Sequence, residues 1–290
     1  MSADLVQSRH APAWERLLWL PGVLCAFLLL APQASFIWLS LHKDAGLGAV
    51  AEGVTLSNYV EIFTDPFFLG SIWLTIWLSA VATAVVLLFG FPTAYAFSRL
   101  GGWLASVLLG LVLTMSLITI VIKILGLNIL LGPSGLLNEL IVGLGIANSP
   151  VALLNNHIGV LIGLVHYTLP IAILMLFAVC QTIPESIEEA SAIHGATSVA
   201  TFFKVIVPIA RYGLVTTGLI VFSMNVGAFT SALLLGGGRV RTMPVLIQQE
   251  IIQGNNYAQG AALATTMLVL VFVVNFTAAD VARRRQHRGK

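Results

Sequence analysis

The stretch Thr182-Ile-Pro-Glu-Ser-Ile-Glu-Glu-Ala-Ser-Ala-Ile-His-Gly-Ala-Thr-Ser198 reads as a short helix with a marked start and stop, set in an otherwise apolar chain. Thr182 and Glu185 have the Thr-x-x-Glu spacing of a capping box. Pro184 falls in the first turn, where its missing N–H is harmless. Glu185, Glu188 and Glu189 crowd the N-terminal half, where carboxylates complement the helix dipole. Gly195 supplies a residue able to take positive φ and stop the helix. Thr197 or Ser198 is placed to cap a second helix running through Lys204, and Pro208 marks the boundary with the next apolar run. Ile187, Ala190 and either Ile193 or His194 are spaced to share one face. Small Ala190 and Ser191 let another surface come close to the backbone, with the acids free to pair basic residues around it. Such a face suits docking into a partner's groove; a solvated helix touching nothing is the plain alternative.

The surroundings of this stretch set its context. Of 290 residues, 58% are hydrophobic and 9% charged, against about 25% charged in soluble domains. With a mean hydropathy of +0.96, the chain cannot coat a water-soluble globule, so a soluble enzyme is excluded and membrane lipid is the expected solvent. A net charge of +2 gives no footprint for nucleic acid. Cys25 and Cys180 lie in apolar runs, which speaks against a disulfide framework or a cysteine metal site. A membrane-crossing helix needs about 20 apolar residues. Six runs qualify, at 17–41, 70–97, 103–125, 158–180, 212–235 and 260–281, predicting an all-α integral membrane protein with six transmembrane helices. A seventh run, 136–147, is short, carries Glu139, and reads as interfacial or re-entrant. The first run is too long for a signal-peptide core and lacks a clean cleavage site, so it reads as a retained span.

Lysine and arginine concentrate on the cytoplasmic side of membrane proteins. With the N-terminus inside, Arg9, Arg16, Arg99, Lys204, Arg211, Arg283, Arg284, Arg285, Arg288 and Lys290 are internal; Lys43, Arg239 and Arg241 are external, with Lys123 near the outer end of the third span. Both termini are therefore expected in the cytoplasm, and 181–211 becomes the one long inner loop. No internal repeat is evident, which weakens a secondary-transporter reading.

Glu189-Ala190-Ser191-x-x-x-Gly195, followed after nine residues by Val205-Ile206-Val207-Pro208, resembles the E-A-A-x-x-x-G…I-x-L-P motif of membrane subunits of bacterial binding-protein-dependent ABC importers. Ser191 stands for the second Ala and His194 for a usual Leu. Thr55-Leu-Ser-Asn-Tyr59, Gly132-x-x-Gly135-x-x-Asn138, and Gly227-x-Phe229 with Leu235-Gly236-Gly237 are similar to the polyamine-type branch, specifically its B-type permease. The resemblance implies a type I importer fold in the bacterial inner membrane. It implies an N-terminal part (1–69) with the first span and an outer loop, a five-helix core (70–282) with a coupling loop at 181–211, and a basic tail (283–290). It also implies coupling through Glu188, Glu189, Ala190, Ser191, Gly195 and Pro208 to two copies of an ATPase subunit, which would hold ATP and Mg. A homologous second permease and a periplasmic binding protein complete the expected partners.

The chain itself has no Walker A sequence: among its lysines only Lys290 follows a glycine. No cofactor and no enzymatic activity of its own are expected. Gly132-Pro-Ser-Gly135 raises an intramembrane serine protease with Ser134 as nucleophile, but Pro133 and the glycines favour an exposed turn. A secondary transporter or channel is the other alternative. The histidines His10, His42, His157, His166, His194 and His287 show no metal-ligand spacing, so no metal site is expected. Intramembrane polar groups nominate a translocation path: Lys123, Tyr95, Thr119, Thr217, Asn225 and Thr230, beside Thr216 and Ser223. Lys123 takes the place where the polyamine-type family commonly has Arg, and either snorkels outward or sits at the path's mouth. Ala228 stands where that family usually has an acid, and no Asp or Glu occupies the centre of a span. A zwitterionic or anionic solute (amino-acid-like, opine or aminophosphonate) therefore stands beside a polyamine as cargo.

Overall fold

The computed structural model describes residues 13–46 and 48–287, with side chains described within 19–46 and 48–280. Of the charges used for orientation, Arg9, Arg288 and Lys290 lie outside the described residues, as does His10. The side chains of Arg16, Arg283, Arg284, Arg285 and His287 lie outside the described side chains. Among the described residues, six helical stretches are long and apolar enough to cross a bilayer: Trp19–Ser40, Pro66–Arg99, Ile120–Gly143, His157–Gln181, Ser198–Val226 and Tyr257–Asp280.

The chain opens with α1 (Ala13–Ser40), a two-stranded antiparallel ribbon of β1 (His42–Gly46) and β2 (Ala49–Val54), and α2 (Ser57–Thr64). The ribbon is absent from the all-α expectation: it is five- and six-residue strands in an outer loop, too short to stand out in an apolar sequence. Asn58 ties it to the bundle, its amide donating to the carbonyls of Ser40 (3.0 Å) and His42 (2.8 Å). Tyr59 shares a 2.6 Å hydrogen bond with Ser40. The Thr55–Tyr59 segment is thus a stitch between the first helix and the ribbon.

Helix α3 (Pro66–Arg99) starts at Asp65, which accepts from the Phe67 N–H at 2.8 Å, with Pro66 in the first turn. Its 34 residues rise about 51 Å, longer at both ends than the expected 70–97. The third apolar run is not one helix. It divides into α4 (Gly102–Leu117) and α5 (Ile120–Leu131), separated by extended backbone at Ile118 and Thr119. At about 24 Å, α4 falls short of the roughly 30 Å hydrocarbon core.

A turn and α6 (Leu136–Gly143) follow. Asn138 holds that turn, donating to Gly132 and Val151 carbonyls at 2.9 and 3.1 Å and accepting from the Val151 N–H at 2.8 Å. A Cβ on Gly135 would stand 2.4 Å from the Ile129 carbonyl oxygen, so only glycine fits there. Ser134 is exposed in this turn.

Helix α7 (His157–Gln181), capped by Asn156 through the Gly159 N–H (2.9 Å), packs along α3. The inner loop carries α8 (Ser186–Ile193) and α9 (Ser198–Thr201), which runs through a π-helical turn, Phe202–Ile206, into α10 (Val207–Val226). Pro208 is therefore inside a continuous helical stretch and not at its boundary. Proline cannot donate to the carbonyl four residues back and crowds it. The preceding turn widens instead, with the Val207 N–H reaching Phe202. The expected fifth span, 212–235, is likewise interrupted. Ala228 (φ −77°, ψ 83°) makes an inverse γ-turn in which the Phe229 N–H bonds the Gly227 carbonyl at 2.9 Å. Helix α11 (Phe229–Gly236) resumes beyond it. Helix α12 (Met243–Gln248), a second π-helical turn (Gln249–Gln253) and α13 (Tyr257–His287) complete the chain.

The core lies where α3, α7, α10 and α11 meet: Leu78 and Ala82 face Val160, Leu164, Ala228 and Ala232, and Val86 meets Ala172 and Val221. Much of the remaining apolar surface points outward, as with Trp103 and Ile129, each 76% exposed, which lipid and not water must cover. One cap crosses between elements. Thr242 makes no side-chain cap for α12; Thr75 of α3 accepts from the Met243 N–H at 2.8 Å while donating to the Ser71 carbonyl. Thr75→Val should leave that N–H unpartnered in the core and cost about 1–3 kcal/mol. Thermal unfolding in detergent should fall for Val and recover for Thr75→Ser.

Candidate functional site

The polar inner loop is built as follows. Thr182 does not form the expected capping box; it ends α7, its hydroxyl donating back to the Val179 carbonyl at 2.7 Å. Glu185 occupies the N-cap position of α8 and makes no side-chain cap, because Thr182 and Glu185 both hold helical backbone and neither takes the extended geometry a capping residue needs. The stop is as expected. Gly195 takes φ +80°, its N–H bonds Ala192 at 2.9 Å, and the Ala196 N–H bonds Ser191 at 3.2 Å. These are the paired hydrogen bonds of a Schellman motif. Thr197 caps α9 by accepting from the Ala200 N–H at 3.3 Å. Ser191 and Thr201 join α8 to α9 through a 2.8 Å hydroxyl pair.

The three glutamates do not act alike. Glu188 turns inward: Tyr95 donates to its Oε2 at 2.7 Å, and the Arg99 Nε donates to its Oε1 at 2.6 Å. Arg99 also reaches the Ile183 carbonyl at 3.0 Å and lies 5.4 Å over the Tyr95 ring. The pair is only 18% and 24% exposed. Ile187 packs beside it, against the cluster of Phe91, Leu176 and Ile206. Helix α8 therefore divides otherwise than expected. Ile187, Glu188 and Ser191 face the bundle, while Glu185, Glu189, Ala190, Ile193 and His194 are exposed, with Ile193 at 84%. Nearby Val199 and Phe203 are 67% and 65% exposed. Pro208 is exposed as well. An apolar patch with Glu189 beside small Ala190 projects from the end of the bundle.

Arg99 is the residue that sequence reasoning missed. It was legible only as one of the inner basic residues, since nothing in its spacing marks a partner 89 residues away. Tyr95, read as a path residue, belongs to the same contact.

The other path candidates separate. Asn225 and Thr217 are buried at 3% and 1% exposure. Asn225 donates to Thr83 at 3.4 Å and lies 3.5 Å from the Thr168 hydroxyl, joining α10 to α3 and α7. Ser223 accepts from Asn275 of α13 at 2.8 Å. Thr230 is half-buried in the first turn of α11, Thr119 is exposed at the α4–α5 break, and Lys123 is buried in α5. Beyond the spans, Glu250 is held above the usual carboxylate range by burial and by the nearby Glu61 carboxylate.

The family of binding-protein-dependent transport system inner membrane components matches residues 87–287, from the middle of α3 through α13. The chain belongs to that family. A spermidine/putrescine transport system permease protein of Haemophilus influenzae is 30% identical over 262 residues, covering 89% of this chain and 91% of that protein. The crystal structure of a bacterial ABC transporter that imports the acidic polysaccharide alginate matches with a TM-score of 0.73 at 19% identity, over 93% of this chain and 96% of that one. A second structure of an alginate ABC transporter, in complex with an alginate pentasaccharide-bound periplasmic protein, matches equally well over 93% and 94%. The permease is thus a multi-pass inner-membrane ABC importer component with the importer fold, and a transport subunit in place of an enzyme.

Proposed function

We propose that this permease is the membrane-spanning half of an ATP-driven importer for a small polar solute of the polyamine or amino-acid-like class. It pairs with a homologous permease and two copies of an ATPase subunit, which hold ATP and Mg. A periplasmic binding protein delivers the solute to the outer loops, and both termini lie in the cytoplasm. The observation that carries this reading is the exposed face of α8, with Glu189, Ala190 and Ile193 outward and Glu188 latched to α3. A docking helix needs a free apolar face and a stiff link to the spans. Closure of the ATPases on that face would displace α8, and through Arg99 the end of α3, as a rigid body. The polyamine class draws on the likeness to the Haemophilus influenzae permease.

Affinity purification of the tagged permease from cells co-expressing its neighbouring transport genes tests the reading. A nucleotide-hydrolysing subunit should come with it in stoichiometric amount and be lost with Glu189→Lys. A permease that transports with no such subunit would be a secondary transporter or channel. Thermal-shift screening of the cognate binding protein then names the solute, since bound ligand raises apparent stability.

A further inference from the structure

Two hydroxyls deep in the bundle forgo a local partner. Helix α3 carries a stripe of hydroxyls, Ser71, Thr75, Ser79 and Thr83, spaced four apart and so on one face, all of them buried. Three bond back along the helix: Ser71 donates to the Phe67 carbonyl at 3.1 Å, and Thr75 to Ser71 and Thr83 to Ser79, each at 2.7 Å. Ser79 does not; its Oγ is buried with no partner among the described residues. The second exception is Thr242. It stands at the N-cap of α12 but caps nothing, and Thr75 accepts from the Met243 N–H in that turn. The Thr242 Oγ1 is likewise buried and unpartnered. Ser79 is fully buried and Thr242 only 6% exposed.

Both exceptions line one cavity, between α3, α7, the α10–α11 break and α12, with Thr75, Asn225, Ala228 and Ala232 also on its wall. Ser79 lies about 20 Å along α3 from Pro66, deep in the spanning segment, where an unpaired hydroxyl is costly. Asn225 has capacity to spare. Its hydrogen bonds are long, 3.4 Å to Thr83 and 3.5 Å from Thr168, and a carboxamide can make four. The cavity measures about 10 Å³. One water needs about 10–15 Å³ and two to four polar partners, so the space admits a single water and nothing larger.

We propose that this cavity is the binding site of one ordered water, held by the hydroxyls of Ser79 and Thr242 and by the Asn225 carboxamide. The water fastens the start of α12 and the α10–α11 break to α3. Breaks in membrane helices are tolerated where ordered waters and neighbouring helices satisfy the freed polar groups, and Ala228, whose γ-turn makes this break, is on the same wall. A water-mediated contact is nearly as favourable as a direct one and can change acceptor without leaving a hydroxyl bare, so α11 and α12 can shift against α3 at low cost. The site lies within one chain and requires no ATPase, binding protein or solute, so it stands apart from the importer reading.

The test is a double-mutant cycle on the full-length permease in maltoside micelles. Ser79→Ala and Thr242→Val each remove a hydroxyl and little else. A dry cavity predicts that both raise the Tm, since each deletes an unpaired polar group and alanine is the better helix former. With the water in place, each single change strips a partner from it, and the Tm should fall by about 2–4 °C. The double variant no longer calls for a water and should fall no further than the worse single. A raised or unchanged Tm in the singles, or additive losses, overturns the proposal. A direct bond between the two hydroxyls would give the same cycle, so a structure of the full chain in nanodiscs, at a resolution that shows ordered waters, separates the two. Density within hydrogen-bond distance of both hydroxyls upholds the site; a Ser79–Thr242 bond, or no density between them, overturns it.

Discussion

Arg99→Ala should cut solute uptake by about ten-fold or more while leaving the permease inserted and its ATPase partner bound, a loss of the scale that 1.4 kcal/mol produces. Arg99 is the last residue of α3, where a cation also complements the helix dipole. Its guanidinium serves two acceptors on the inner loop at once, the Glu188 carboxylate and the Ile183 carbonyl. Removing it leaves Glu188 largely buried with only Tyr95 to donate to it. Hydrogen bonds to charged groups contribute about 1.5–3 kcal/mol; partial exposure of both partners puts the loss here toward the lower end of that range.

The cost falls on one link, not on the core, so the consequence is mechanical. Without the latch, α8 can move under its docking face while α3 stays still. ATP hydrolysis should then continue with little transport. Arg99→Lys should recover only part of the coupling, because an ammonium cannot reproduce the planar fork. The exchange Arg99→Glu with Glu188→Arg should recover more than either single change. Uptake per ATP hydrolysed in proteoliposomes checks the series, and normal uptake by Arg99→Ala would falsify the latch.

The contrast between Arg99 and Gly195 shows what was legible in the sequence. Local signals read correctly: Gly195 as a stop, Thr197 as a cap and the number of membrane helices follow from neighbours within a turn or from the length of a run, though the third helical stretch lies at Ile120–Gly143 and not at 103–125. The failures have a common cause. Apolar runs look the same whether they are continuous or broken, so the extended pair at Ile118 and Thr119 and the γ-turn at Ala228 were invisible to hydropathy. In lipid, a break is tolerated where its freed backbone groups find partners or are shielded by protein, and at Ala228 the turn itself supplies one, the Phe229 N–H bonding the Gly227 carbonyl. The capping box failed for a related reason. Thr182 and Glu185 have the spacing, but both hold helical backbone and lack the extended geometry of a cap. The division of labour among Glu185, Glu188 and Glu189 depends on which face of α8 meets α3, a long-range fact that no local pattern carries.

Gly195 supports the second prediction, in which three substitutions should rank by backbone conformation and not by size. A Cβ at this position would meet nothing within 4 Å, so sterics with neighbours play no part; only its φ of +80° matters. An L-residue pays about 1–2 kcal/mol in the left-handed region, asparagine pays least among non-glycines, and a β-branched residue pays most. Uptake should therefore stay near normal for Gly195→Asn, fall several-fold for Gly195→Ala, and fall about ten-fold or more for Gly195→Val, where refusal of the left-handed turn undoes the Schellman pairs. Because those pairs set the angle between α8 and α9, the loss should appear as uncoupled ATP hydrolysis, with insertion and thermal unfolding of the bundle unchanged. A steric origin would instead place asparagine nearer valine than alanine. If asparagine proves as inactive as valine, the loop's function depends on space around Gly195 in a docked partner and not on its turn, and side-by-side uptake of the three variants decides between the two.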